Sequence, residues 1–279
     1  MSAKRAEGRR YAIEAEHLVK VYGGGRTRVE ALKGVDLAVR PGDLWAIMGP
    51  SGSGKTTLLT ILGLVTEPTE GHLLIDGEDI YGGRQPDLAR LRREKIGFIF
   101  QSPNLIPFLN AKENVLLPLS LAGVRGRPAD ERAAELLDYL EVAERAELYP
   151  NQLSGGEQQR IAIARALANN PKIILADEPT ASLDTDRALS VMHLLRRVST
   201  ENGTAVLFVT HDDRLIGEVD RMIQLVDGRI ASSASHHVRS DTGSAAEGAT
   251  LSEFCWRECP AAGGCCTTSS RSAPLPQSS

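Results

Sequence analysis

The sequence predicts an α/β fold: a mainly parallel sheet, an antiparallel β segment ahead of it, and an α-helical segment inserted within it. Three observations carry this prediction. Short apolar runs alternate with stretches of helical periodicity, which implies parallel strands joined by right-handed crossovers. A glycine-rich loop follows one of those runs directly and opens a helical pattern. Between about 102 and 151 the alternation stops, and prolines followed by helical spacing take its place.

Residues 11–48 read as β-rich. Tyr11 to Tyr22 and Val29 to Val39 carry short strands, and Pro41-Gly42 marks the turn into the run Leu44, Trp45, Ala46, Ile47, Met48. Leu58, Leu59, Ile61 and Leu62 then recur at helical spacing. A strand from His72 to Ile75 is closed by Asp76-Gly77. Residues 87–95 are basic and helical in pattern, and Ile96 to Phe100 is an apolar strand ending at Gln101. In the inserted segment Pro103, Pro107, Pro118 and Pro128 break up the chain before Ala133, Leu136, Leu137 and Leu140 resume a helical period. A helix is predicted from about Gly155 to Asn169, a strand over Lys172–Ala176, and a helix from about Thr185 to Thr200. A further strand covers Ala205–Thr210, and a closing strand pair runs from Arg221 to Ile230 around Asp227-Gly228. From Ser232 onward Ser, Thr, Ala and Gly dominate without period, and a flexible tail is expected over 232–279.

The composition excludes several classes. A chain of 279 residues that is 42% hydrophobic and 24% charged has material for a large core. A net charge of −4 argues against a basic nucleic-acid footprint. No apolar run approaches the ~18–20 residues of a membrane span. Residues 1–10 carry four basic residues with no apolar stretch behind them, so they read as a solvated arm rather than a secretory signal. All four cysteines, Cys255, Cys259, Cys265 and Cys266, lie in the tail, so no disulfide framework supports the body, as expected for a reducing cytoplasm.

The chemistry begins at GPSGSGKTT, Gly49 to Thr57, which satisfies GxxxxGK[ST] from Gly49 to Thr56. After Pro50, the small residues Ser51, Gly52, Ser53 and Gly54 let the backbone curl its N–H groups around phosphates, and the next helix adds the positive end of its dipole. Lys55 can reach terminal phosphates, and the Thr56 hydroxyl can hold Mg²⁺. The loop therefore predicts a P-loop NTPase core. Lys172 to Pro179, KIILADEP, delivers Asp177 and Glu178 at the C-terminal end of a buried strand, the edge where open α/β sheets bind ligands. Asp177 is the acidic partner of Thr56 for the metal, and Glu178 is placed to polarise a water for in-line attack. In LSGGEQQR, Leu153 to Arg160, Ser154 and Glu157 form a capping box, while Gly155 and Gly156 leave helix amides open to an anion.

These strings, in order, resemble the ATP-binding subunit of ABC transporters, over about residues 12–231. The resemblance implies an ATPase domain over 11–231 with a helical subdomain at about 102–165, ATP and Mg²⁺ as cofactors, and a homodimer. Two ATPs would lie between one subunit's phosphate loop and the other's Ser154, Gly155 and Gly156. It further implies that Gln101 senses Mg²⁺ and the attacking water, that Ser182-Leu183-Asp184 crosses the dimer interface, that His211 contacts the γ-phosphate, and that Tyr22 stacks on adenine.

The segment 97–123 and the phrase ALANNPKIILADEPTASLD look like the lipoprotein-release and macrolide-exporter branch. That likeness implies transmembrane permease partners at the cytoplasmic face of the membrane and no nucleic acid. The segment 102–150 would dock the partner's cytoplasmic helix, with Pro107, Phe108, Leu109, Val115 and Leu116 either contacting it or packing internally. The competing class is a soluble ABC-type ATPase acting on DNA or ribosomes; the chain has one cassette and no sustained heptads. In the tail, C-x₃-C-x₅-C-C with His236 and His237 upstream leaves two readings open, a metal site or incidental thiols.

Overall fold

The computed structural model describes residues 11–82, 86–181 and 183–235. The basic arm at 1–10, Ser182, His236, His237 and the four cysteines lie outside the described residues.

Two sheets form the frame. An antiparallel sheet has the order β2-β1-β4-β5, from β1 (Ile13–Tyr22), β2 (Val29–Val39), β4 (Glu70–Ile75) and β5 (Glu78–Asp79). A six-stranded sheet has the order β10-β9-β3-β8-β7-β6, built from β3 (Leu44–Met48), β6 (Ile96–Ile99), β7 (Ile173–Asp177), β8 (Ala205–Val209), β9 (Arg221–Val226) and β10 (Arg229–Ser235). All its pairings are parallel except β9 with β10, the hairpin turned at Asp227-Gly228. β10 runs to Ser235, so the last strand extends four residues beyond 231.

Both faces of the parallel sheet are buried, which is why its strands read as continuous apolar runs. Side chains alternate between two cores. Trp45, Ile47, Ile173, Leu175, Leu207 and Val209 face α1 (Lys55–Leu62) and the antiparallel sheet. Leu44, Ala46, Ile174, Ala176, Val206 and Phe208 face the core shared with α3 (Ala111–Leu121), α4 (Arg127–Tyr139), α5 (Gly155–Leu167) and α6 (Thr185–Asn202). The basic α2 (Leu88–Lys95) is capped by Asp87, whose side chain accepts from Arg90 N, and leads straight into β6.

The inserted segment corrects one expectation and decides between the two readings of another. Pro118 does not break the chain; it sits inside α3, and its neighbours complete the helix around it. Only Pro128 opens a helix, at the first turn of α4, where a missing N–H costs nothing. Val115 is fully buried in the core, so it packs internally and is no docking contact. Phe108, by contrast, is 76% exposed. The irregular stretch before α3 is pinned by buried Asn114, whose Oδ1 accepts from Ile106 N and whose Nδ2 donates to the carbonyls of Ile106, Leu109 and Asn110.

Candidate active site

The sheet register brings the predicted groups to one edge. Ile47 pairs with Val209, Val209 with Asp177, and Ala176 with Ile99. The residues that follow these strands, Gly49 onward, Glu178, His211 and Gln101, therefore leave the same C-terminal edge, where ligands sit in such sheets.

The phosphate loop is held from three sides. Gly49 has φ +145°, and a Cβ there would lie 2.0 Å from the Leu225 carbonyl oxygen. Gly54 has φ +103°, and a Cβ would lie 2.5 Å from the Ala31 oxygen of β2. Both positions demand glycine for conformation and for space. From the β9–β10 turn, Gly228 N donates to the Ser53 carbonyl at 3.0 Å. Ser53 is buried, whereas Pro50, Ser51, Gly52 and Thr56 are exposed and Thr57 is half-buried.

Helix α1 is capped by Gly54 with no side-chain acceptor. α5 and α6 instead carry Ser154 and Asp184 as caps. The amides of α1 are thus left for an external anion. Lys55 is buried, and its Nζ donates to the Gly49 and Pro50 carbonyls at 2.7 and 2.8 Å. Burial pulls its pKa down, against the opposing pull of Glu178 and Asp177. A cation held among neutral carbonyls in a desolvated spot can take an incoming anion at little further cost in solvation.

Asp177 closes β7 beside the Thr56 side chain, which favours its ionised form. Burial, then the neighbouring Glu178 charge, pushes its carboxyl above the ordinary carboxylate range. This hydroxyl–carboxylate pair offers the oxygen donors that Mg²⁺ takes, and a cation would relieve the crowding of negative charge. Glu178 adopts φ +49°, a conformation that costs of order 1–3 kcal/mol for a non-glycine residue. Its amide donates to the Val209 carbonyl at 3.1 Å, and its Oε1 lies 2.8 Å from His211 Nε2. Glu178, Thr180, Thr210 and His211 line a cleft of about 350 Å³. A larger cavity, about 670 Å³ beside Tyr11, Asp36, Trp45 and Arg221, holds none of the predicted site residues.

Tyr22 ends β1, 42% exposed, with Lys20 Nζ 5.1 Å from its ring centroid. It pairs with Val29, two residues along β2 from the Ala31 carbonyl that abuts Gly54. Gln101 is exposed just beyond β6.

LSGGEQQR turns most of its chemistry inward. Ser154 Oγ accepts from Glu157 N, and Glu157 Oε2 accepts from Ser154 N at 2.8 Å. Gln158 donates to the Pro150 and Leu153 carbonyls. Buried Gln159 donates to the carbonyl of Pro179, next to Glu178. Arg160 donates to Leu140, Glu141 and Ser190. Gly155 is the exception: a Cβ there would meet nothing within 4 Å, and at Gly156 only Arg187 Cδ at 3.8 Å. Among the described residues, no hydrogen bond or ion pair joins Ser154, Gly155 or Gly156 to residues 49–57. Asp184 caps α6 through Arg187 N and pairs with the Arg187 guanidinium at 3.4 Å. Local sequence pattern carries no sign of the partners Gln159–Pro179, Arg160–Ser190 or Glu157–Arg145, because each pair joins two different segments of the chain.

The ABC transporter family signature matches residues 32–181. The chain is 44% identical to the lipoprotein-releasing system ATP-binding protein LolD of Geobacter metallireducens, over 79% of this chain and 98% of that protein. It is 45% identical to the macrolide export ATP-binding/permease protein MacB of Syntrophobacter fumaroxidans, over 78% of this chain but only 31% of that longer protein. A solved dimer of the ATP-binding cassette MJ0796, in a post-hydrolysis state bound to ADP and Pi, superposes with a TM-score of 0.72 at 44% identity, covering 80% of this chain and 98% of that one. Among the described residues no helix is long and apolar enough to cross a membrane. The chain belongs to the ABC transporter family, as one of its ATP-hydrolysing cassettes.

Proposed function

We propose that two copies of this chain close on two ATP molecules, and that this closure drives separate transmembrane permease subunits at the cytoplasmic face of a membrane. Each nucleotide lies between one copy's phosphate loop and the other copy's Ser154, Gly155 and Gly156. The catalytic body is residues 11–231, with the helical subdomain at about 102–165. The observation that carries this reading is the convergence of Lys55, Asp177, Glu178 and His211 on one sheet edge, beside a helix with no cap of its own. The open space at Gly155 and Gly156 supports the contact in trans, because nothing in their own chain requires those glycines.

Residues 49–57 cradle the phosphates through backbone amides, and Lys55 exchanges its two carbonyls for phosphate oxygens. Thr56, Asp177 and Gln101 would hold Mg²⁺, which would neutralise charge on the β- and γ-oxygens. Glu178 takes the proton of the attacking water, and His211 orients that carboxylate and meets the γ-phosphate. Tyr22 stacks on adenine, and Asp184 lies at the dimer interface. The similarity to lipoprotein-release and macrolide-export proteins supports an export role, with the cargo chosen by the permease.

Glu178→Gln tests the assignment. It keeps the shape of the side chain but removes the base, so turnover falls by roughly 10²-fold or more while ATP binding persists. An ATP-dependent dimer then accumulates, measurable by sedimentation. Wild-type turnover in that variant sinks the assignment.

A further inference from the structure

Glu157 is an awkward neighbour for an anion. Its Oε2 accepts from Ser154 N at 2.8 Å and from Ser154 Oγ at 2.7 Å. The residue that completes the cap of α5 thus holds a negative charge one hydrogen bond from the hydroxyl that, on the proposed function, lies against the partner's nucleotide. It also engages that hydroxyl's single proton.

Arg145 answers that charge. It lies at the end of the 3-10 turn Ala143–Arg145 in the helical insertion, and its Nε donates to Glu157 Oε1 at 2.7 Å. The two carboxylate oxygens are divided: one serves Arg145, the other Ser154. The Arg145 guanidinium and the two Ser154 donors hold the Glu157 carboxyl down at about 2, so the pair is two full charges at any working pH. Once the Ser154 hydroxyl turns its hydrogen bond to a phosphate oxygen, Glu157 retains Arg145 and Ser154 N as donors.

We propose that Arg145 is a positioning residue for ATP hydrolysis: it cancels the charge of Glu157 and fixes the carboxylate that aims Ser154, so that the N-terminus of α5 accepts the partner subunit's nucleotide. The proposal rests on the trans assignment of Ser154, Gly155 and Gly156.

The test uses the full chain with Glu178→Gln to block turnover. ATP-driven dimerisation is read by analytical ultracentrifugation, and binding of a fluorescent ATP analogue to the monomer serves as the folding control. Arg145→Gln keeps a donor but no charge, and it weakens the dimer by roughly tenfold or more with monomer binding unchanged. Arg145→Lys, which keeps the charge, stays within about threefold of the parent, and so does the double variant R145Q/E157Q, in which no charge needs cancelling. E157Q alone dimerises at least as tightly as the parent. A merely structural strut would leave R145K and the double variant as weak as R145Q. That result, an unaffected R145Q dimer, or a tenfold loss in E157Q overturns the proposal. Gly156→Asp separates the two assignments. If it dimerises like the parent, the trans assignment itself falls; if it fails while R145Q is unaffected, only the role of Arg145 falls.

Discussion

Replacing Lys55 with Met should separate the stability of the chain from its affinity for nucleotide. In the absence of ligand the ammonium makes two charge-assisted bonds, to Gly49 and Pro50, but is held in a spot whose burial depresses its pKa. The bonds lost, roughly 1.5–3 kcal/mol each at most, are offset by the desolvation relieved and by water reaching the exposed Pro50 carbonyl. The apo protein should therefore change by no more than about 1 kcal/mol, or about 2–4 °C in Tm. Nucleotide binding loses a charged phosphate contact worth about 2 kcal/mol, near 30-fold in Kd. At an ATP concentration 100 times the wild-type Kd, ligand stabilisation of about 2.7 kcal/mol drops to about 0.9 kcal/mol. Thermal unfolding with and without ATP reads both quantities. An apo Tm lowered by more than about 8 °C would make Lys55 a structural strut, and an undiminished ATP shift would refute its role as the phosphate ligand.

Three further outcomes follow from the geometry. Gly49→Ala places a Cβ against the Leu225 carbonyl at a φ that disfavours side chains, so it should abolish nucleotide binding and lower stability by about 2 kcal/mol or more; calorimetry showing normal binding would contradict the close approach. Glu157 has a depressed folded pKa, about 2 against an ordinary 4.5, so its contribution is complete above about 4.5 and lost as pH falls through about 2. The Tm difference between wild type and E157Q should shrink across that window, and a difference constant from pH 6 to 2 would exclude the ionised cap. Asn114→Ala should cost about 2–3 kcal/mol, because it strips a buried side chain from the carbonyls of Ile106, Leu109 and Asn110; a change below 0.5 kcal/mol would show that water replaces it.

The sequence was legible where local chemistry and position coincide. The phosphate loop, its strand and helix, the Ser154–Glu157 box and the KIILAD strand each declare themselves within a dozen residues, and the structure brings the phosphate loop and the end of the KIILAD strand to one edge. Legibility failed where the outcome depends on residues far away. Pro118 reads as a breaker, yet tertiary packing keeps α3 intact around it. Val115 and Phe108 look alike as apolar positions in the insertion, but one is core and the other surface, and spacing alone does not say which face meets the core. Asp184 reads as an interface residue, and the structure adds its capping of α6. Arg145 carried no signal, because its partner Glu157 lies beyond a change of element.

The two ends of α5 hold different things. At its start stand Ser154 and the open glycines. Near its finish the Arg165 guanidinium, its pKa lowered by burial, donates to the carbonyls of Asn104 at 2.7 Å and Pro103 at 2.8 Å, just after Gln101. Thirteen helical residues, about 20 Å of stiff rod, therefore connect the cap that would face another subunit's nucleotide, on the function proposed above, to the loop leaving β6. A helix of this length is stiff enough that a displacement at one end would be carried to the other. The string that looks like a binding motif is also one end of a strut whose other end holds the chain just after Gln101.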